Sequence, residues 1–197
     1  PWESARPRVT AVSSFGAGGS NAHVIIEEYV ADAAPAERSA DDGEQLVVLS
    51  ARTPEGLRHS AARLAAFLER EEAHGRTVRL ADLAFTLRSG REAMKERLAV
   101  TVFSVPELRR ALRAFAETGD GTVVPGLHRG STGQDRGAAA GIWADDDDLR
   151  ELLAERWGRE GKYGKLAALW ADGMDLDWRA LPGAVPPPRR ISLPTYP

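Results

Sequence analysis

The chain opens with two apolar runs joined by a glycine-rich turn. Val9 to Phe15 leads in, Gly16 to Gly19 turns, and Val24-Ile25-Ile26 leads out. Their β-branched content predicts strands rather than helix. Residues 30–44 hold one proline and, Val30 apart, no large apolar residue, which is the composition of a linker. Leu46 to Leu49 is a short apolar run that predicts a buried strand. Thr53 and Pro54 then supply an N-cap and a proline in the first helical turn. Leu57, Ala61, Leu64 and Leu68 come next at steps of four, three and four, the stripe of an amphipathic helix. Leu80, Leu83, Ala84 and Leu87 make a second stripe, stopped at Gly90. Leu98 to Phe103 alternates as a strand. Ser104 and Glu107 form a capping box for a third helix with inner face Leu108, Leu112 and Phe115, ended at Gly119.

The order strand–helix–helix–strand–helix predicts an α/β (α+β-like) fold, a small sheet covered by helices on one face. Residues 119–141 hold eight glycines or prolines and little apolar content, which predicts an exposed, mobile loop. Asp145 to Asp148 precede Leu149, Leu152, Leu153 and Trp157, and carboxylates there favour the positive end of a helix. Gly161 separates that helix from a shorter one carrying Leu166, Leu169 and Trp170, with Gly173 as its stop. The segment 182–197 has six prolines and is expected to run extended across a surface, held by Ile191, Leu193 and Tyr196.

Charge narrows the functional classes. The 197 residues carry 26 Lys+Arg against 29 Asp+Glu, a net charge of −3 with both signs interspersed, which argues against a nucleic-acid binder. No apolar run approaches the about 20 residues that cross a bilayer, so a soluble, cytoplasmic protein is expected. The start has no signal-peptide pattern and no initiator Met, as expected of a piece of a longer chain. There is no cysteine, hence no disulfide, thiolate ligand or thiol nucleophile.

The most distinctive stretch is Ser14 to His23, SFGAGGSNAH. A phosphate cradle would require its glycines to open a helix, and Val-Ile-Ile stands there instead. His23 as a base would require a nucleophile and an orienting acid. Ser13, Ser14 and Ser20 are near, but no Gly-x-Ser-x-Gly elbow occurs. A structural, hydrogen-bonded His23 is the favoured reading. His59, His74 and His128 are isolated, and the Asp145–Asp148 run lacks the spacing of a calcium loop, so no metal and no cofactor is expected. Trp143, Trp157, Trp170 and Trp178 are expected to pack in the core.

Val12–Glu28 (VSSFGAGGSNAHVIIEE) closely resembles the C-terminal signature of type I polyketide ketosynthases. Leu46–Thr53 (LVVLSART), Leu80–Leu98 (LADLAFTLRSGREAMKERL), Lys165–Leu181 (KLAALWADGMDLDWRAL) and the final RISLPTYP resemble the linker and post-linker that flank these enzymes. The resemblance implies that residues 1–29 are the last strands of a thiolase fold, with Phe15, Gly16, Gly18, Gly19 and Asn21 in a loop near the acyl pocket. It also implies that 45–181 is a flanking linker domain and that 182–197 wraps back toward the ketosynthase body. The family's cysteine nucleophile and its two catalytic histidines lie upstream of the signature, and His23 matches neither. No catalytic role is therefore carried onto this chain. The linker runs directly into LPTYP with no acyltransferase between, as in synthases served by a free-standing acyltransferase.

The implied role is architectural, connecting the ketosynthase to downstream domains. Further implied partners are a free acyltransferase and neighbouring synthase chains. The helices at 145–172 would present Arg150, Glu151, Arg156, Arg159, Glu160 and Lys162 to them. The competing readings are a small acyl-transfer or hydrolytic enzyme using His23 and a nearby serine, and a ligand-binding module using the glycine loop.

Overall fold

The computed structural model describes residues 6–29, 43–132, 147–181 and 187–196. The chain divides into two compact units, Pro1–Arg38 and Ser39–Pro197. The expected linker at 30–44 lies, from 30 to 42, outside the described residues, as do Trp143, Asp145, Asp146 and 182–186.

The first unit is a hairpin. Strands β1 (Val9–Phe15) and β2 (Asn21–Glu27) pair antiparallel from Val9–Glu27 at the open end to Phe15–Asn21 at the loop. Beyond the open end, Arg8 and Glu28 form a side-chain ion pair that clamps the two arms. A two-stranded hairpin has nothing to bury its side chains against, and every residue of both strands is exposed.

The second unit is built on a three-stranded antiparallel sheet, β3 (Gln45–Ala51), β4 (Glu96–Val102) and β5 (Leu127–Ser131), in the order β3-β4-β5. Helices α1 (Pro54–Ala73), α2 (Leu80–Ser89) and α3 (Val105–Thr118) follow, with the starts of α1 and α3 at Thr53 and Ser104 and the stops of α2 and α3 at Gly90 and Gly119 where the sequence places them. Thr53 Oγ1 accepts from the Gly56 N–H at 3.0 Å. Ser104 Oγ accepts from the Glu107 N–H at 3.3 Å, and the Glu107 carboxylate accepts from the Phe103 N–H at 2.7 Å. The stripe residues Leu57, Leu64, Leu83, Leu108, Leu112 and Phe115 are all but inaccessible and form one core with Leu46, Val47, Leu98 and Val100. Helices α1 and α3 lie together, tied by ion pairs of Glu69 with Arg113 and of Glu72 with Arg109.

One expectation is corrected. The composition of 119–141 predicts an exposed loop, yet Leu127–Ser131 is strand β5. Its backbone completes the edge of β4, so its side chains need not be apolar. The close approach of α5 (Tyr163–Ala171) also requires a glycine there, since a Cβ on Gly130 would sit 2.0 Å from the Ala171 carbonyl oxygen. Residues 133–141 of that stretch lie outside the described residues.

Gly130 pairs with Arg97 across the sheet, so both lie on one face, and both meet α5. The neighbouring pair Leu98–Arg129 lies on the other face, where Arg129 donates to the Gly119 carbonyl at the end of α3 at 3.0 Å. The sheet is thus covered by α1 and α3 on the face that the sequence assigns to helices, and by α5 on the second. Arg97 is 4% exposed. It donates to the carbonyls of Trp170 at 3.1 Å and Met174 at 3.0 Å, meets Asp175 at 2.8 Å, and lies 5.0 Å over the Trp170 ring. The Trp170 carbonyl, in the last turn of α5, also accepts from the Gly173 N–H at 3.1 Å, and the Met174 carbonyl lies just past the helix end, where a cation is favoured. Trp170 belongs to the core, and Trp157 and Trp178 pack against it.

The extended segment 187–196 is held as a strap. The Asp82 carboxylate accepts from the Arg189 N–H at 2.9 Å, and Thr86 Oγ1 accepts from the Ile191 N–H at 3.0 Å. Four residues of helix rise about 6 Å, and two residues of extended chain rise about 6 to 7 Å. Side chains one turn apart on α2 therefore match alternate N–H groups of the strap. Leu193 is buried, and the Tyr196 hydroxyl bridges the N–H and C=O of Glu92 at 3.1 and 3.3 Å. The three anchoring positions expected from sequence are the ones used.

Candidate functional site

Two surfaces stand out from the sequence. The first is the hairpin loop. Gly16 N–H donates to the Ser20 carbonyl at 2.9 Å and Gly19 N–H to the Gly16 carbonyl at 3.0 Å, closing a five-residue turn. Gly19 sits at φ 90°, and a Cβ on Gly16 would come within 2.6 Å of the Ser20 oxygen, so glycine is required at both. Gly18 meets no such constraint. Phe15, facing Asn21 across the loop's base, is 81% exposed.

Beside the loop, Ser13 and His23 are cross-strand partners, and Ser13 Oγ lies 2.8 Å from His23 Nδ1. Serine and imidazole are therefore within proton-transfer distance. The pair stands on the open surface of the hairpin. Among the described residues no carboxylate is hydrogen-bonded to the ring, so an orienting acid is not part of the arrangement.

The second surface is α4 (Asp147–Arg159) with the turn after it. Its charges are organised within the helix. Arg156 pairs with Glu160 at 3.1 Å and Arg159 with Glu155 at 2.6 Å, each at i,i+4, and Lys162 closes on Glu160. Lys162 first and Arg156 second hold the Glu160 carboxyl below the ordinary carboxylate range. Pairs of this kind contribute about 0.3–0.5 kcal/mol each. Arg156 and Arg159 are thus exposed but already neutralised. Leu152 stands 56% exposed among them, and Glu151 is exposed. The side chain of Arg150 lies outside the described residues. Lys165 caps the inner side, 5.3 Å over the Trp157 ring. Among the described residues no cluster of His, Asp and Glu could hold a metal ion, and no helix is long and apolar enough to cross a membrane.

Residues 48–119, from β3 to the end of α3, match the family model of the RhiE-like, KS-MAT linker domain. This stretch belongs to that linker family. The polyketide synthases PksN and PksM of Bacillus subtilis (strain 168) are each 40% identical to the chain, over 193 and 191 residues. Those alignments cover 97% of this chain but only 3% and 4% of the synthases. Among solved structures, a ketosynthase from module 6 of the bacillaene synthase from Bacillus subtilis 168 is similar at a TM-score of 0.68 and 35% identity. That match covers 100% of this chain and 34% of the ketosynthase chain, so it takes in the hairpin as well as the linker domain. The chain spans a few hundredths of the curated relatives and about a third of the solved ketosynthase it matches.

The comparisons find the chain similar to a segment of polyketide synthases, in line with the resemblance of the sequence signature. The buried Arg97 and the strap's anchors on α2 are structural features that sequence reasoning does not single out. Arg97 has a faint signal, a charged residue entering an apolar strand. The Asp82–Thr86 spacing on the second helix has none.

Proposed function

We propose that this chain is the non-catalytic connector at the C-terminal end of a ketosynthase in a trans-acyltransferase polyketide synthase. The hairpin supplies terminal strands to the ketosynthase body, and residues 45–181 form the linker domain that sets the distance to the next domain of the synthase. The segment 182–197 straps across the linker. The observation that carries this reading is the hairpin's surface. Val9, Val12, Phe15, Val24, Ile25, Ile26 and Tyr29 are all exposed by half or more, on both faces of a two-stranded ribbon. A ribbon apolar on both faces is built to be buried within a larger sheet protein. In that setting Phe15, Gly16, Gly18, Gly19 and Asn21 form a wall of the acyl pocket, and the Ser13–His23 pair is a structural hydrogen bond.

The α4 surface is the docking face for a free acyltransferase or a neighbouring synthase, with Leu152 as the apolar centre and Glu151, Arg156, Arg159 and Lys162 around it. A partner there exchanges the helix's internal ion pairs for pairs across the interface. A titration of the chain against the free acyltransferase tests this. Binding at micromolar or tighter Kd, weakened at least tenfold in Arg156→Glu/Arg159→Glu, supports docking, and no binding removes it. An activated ester tests the catalytic alternative, because an acyl-enzyme burst lost in His23→Ala would overturn the non-catalytic reading.

A further inference from the structure

Between α2, the edge strand β3 and the strap lies a cleft of about 50 Å³. Its lining includes Arg88, Arg91, Ser60, Trp170, Trp178 and Tyr196. Two polar groups in this lining lack the partners their surroundings demand. Arg88 is one. A guanidinium carries five N–H donors, yet among the described residues Arg88 has one hydrogen-bond acceptor, the Leu46 carbonyl at 3.1 Å, and no carboxylate within ion-pair distance. Desolvation pulls its pKa down to about 10, against a smaller opposing effect of Tyr163, so it remains a cation at neutral pH. The other is the Ser60 hydroxyl, whose oxygen is buried without any hydrogen-bond partner among the described residues.

A half-buried cation without a counter-charge is costly, and a buried unpaired hydroxyl adds to that cost. The cleft's remaining charges do not resolve it. Arg91 donates to the Gly90 and Pro194 carbonyls at 2.9 and 3.3 Å. Glu92 lines the same space but forms no ion pair with either arginine. Two cations against one carboxylate leave one positive charge unmatched.

We infer that this cleft binds a small oxyanion, a carboxylate or a phosphate, with the Arg88 guanidinium as its charged anchor and the Ser60 hydroxyl as a further donor. A planar guanidinium fork suits both classes of oxyanion. The size is selective. One water occupies about 10–15 Å³ of such space, so the cleft takes about three to five heavy atoms, a range that includes both acetate and inorganic phosphate. Pro194, Thr195 and Tyr196 of the strap contribute to the lining, so the bound ion fastens the strap as well.

The test is a thermal-unfolding titration of the full chain with sodium acetate and, separately, with inorganic phosphate, at an ionic strength held constant with sodium chloride. The expected result is a saturable rise in Tm with at least one of the two, while chloride alone gives none. Which anion acts distinguishes a carboxylate from a phosphate ligand. In Arg88→Met the rise disappears, and the unliganded Tm equals or exceeds that of the wild type, because the unpaired charge has gone. In Ser60→Val the apparent Kd weakens at least threefold. Should Arg88→Met not fold, the Arg88 side-chain Nε–H resonance of the wild type carries the test, shifting saturably with the anion. A rise in Tm reproduced by chloride, or retained in Arg88→Met, or a saturating anion that leaves the Arg88 resonance unmoved, overturns the inference. The absence of any response to either anion does so too.

Discussion

The hairpin and the linker domain use the same strand chemistry to opposite ends. Val24-Ile25-Ile26 in β2 and Leu46-Val47-Val48 in β3 are comparable apolar runs, each in a seven-residue antiparallel strand. The first is exposed by half or more at every position, and the second is at most 4% exposed. The difference is not propensity but what each strand finds to pack on. β3 has β4 beside it, α1, α2 and α5 around it, and the strap within reach. β1 and β2 pair with each other, and every position in both is exposed. A strand that forms without a cover tells where a cover belongs, and this is why the exposed ribbon, not any polar site, carries the functional reading.

Matched substitutions test that contrast. Phe115→Ala in the linker core is expected to cost about 3–5 kcal/mol and to unfold most of that unit. Ile25→Ala in the hairpin is expected to change the stability of the isolated chain by no more than about 0.5 kcal/mol. Chemical denaturation of both variants checks this, and a large effect of Ile25→Ala would show that the hairpin is already covered. A glycine pair comes next. Gly130→Ala pushes a methyl group into the Ala171 carbonyl and should cost about 1–3 kcal/mol or more. Gly18→Ala meets nothing and should be close to neutral.

Much of the linker domain was legible in the sequence because its helices announce themselves locally. Thr53–Pro54 and the Ser104–Glu107 box specify helix starts through hydrogen bonds reaching three residues, and the leucine stripes specify which side is buried. Thr53→Ala should accordingly cost about 1 kcal/mol, measured by thermal or chemical unfolding. Strand β5 was not legible. Its pattern Leu-His-Arg-Gly-Ser has one apolar residue, and it forms because β4 offers a free edge and α5 a surface that only a glycine lets close. Arg97 was not legible either, since its acceptors lie more than 70 residues on, at Trp170 and Met174. The strap's course depended on the same kind of distant match, though its anchors Ile191, Leu193 and Tyr196 stood out as the apolar residues among prolines. In the candidate site, the glycine turn between two strands was legible from its residues. The pairing of Arg156 with Glu160 and of Arg159 with Glu155 comes from i,i+4 spacing, which shows that neither arginine is an unpaired positive charge.

Tyr196→Phe sharpens the comparison further. It removes the hydroxyl that bridges Glu92 and should weaken the strap by about 1 kcal/mol, seen as faster hydrogen exchange at the Arg189 and Ile191 amides while the α1–α3 core holds. The smallest effect is one of pH on the hairpin. Side-chain and backbone hydrogen bonds from Arg8 bring the Glu28 carboxyl down to about 2. Because the folded value is depressed, its contribution is fully present above the unfolded value of about 4.3 and disappears as pH falls through about 2. Both groups are solvated, so the loss is a slight fraying of the open end. Amide exchange at Val9 and Glu27 between pH 5 and 2 reports it, and Glu28→Gln should abolish the dependence.

The central claim is that the hairpin is a piece of a ketosynthase awaiting its body. Its most direct test is hydrogen exchange on the full chain, alone and after titration with a ketosynthase fragment that ends before residue 6. Rapid exchange across residues 9–27 in the isolated chain, slowed at least a hundredfold in a one-to-one complex, is the predicted result. Amides already protected in the chain alone, or unchanged by saturating fragment, would contradict it.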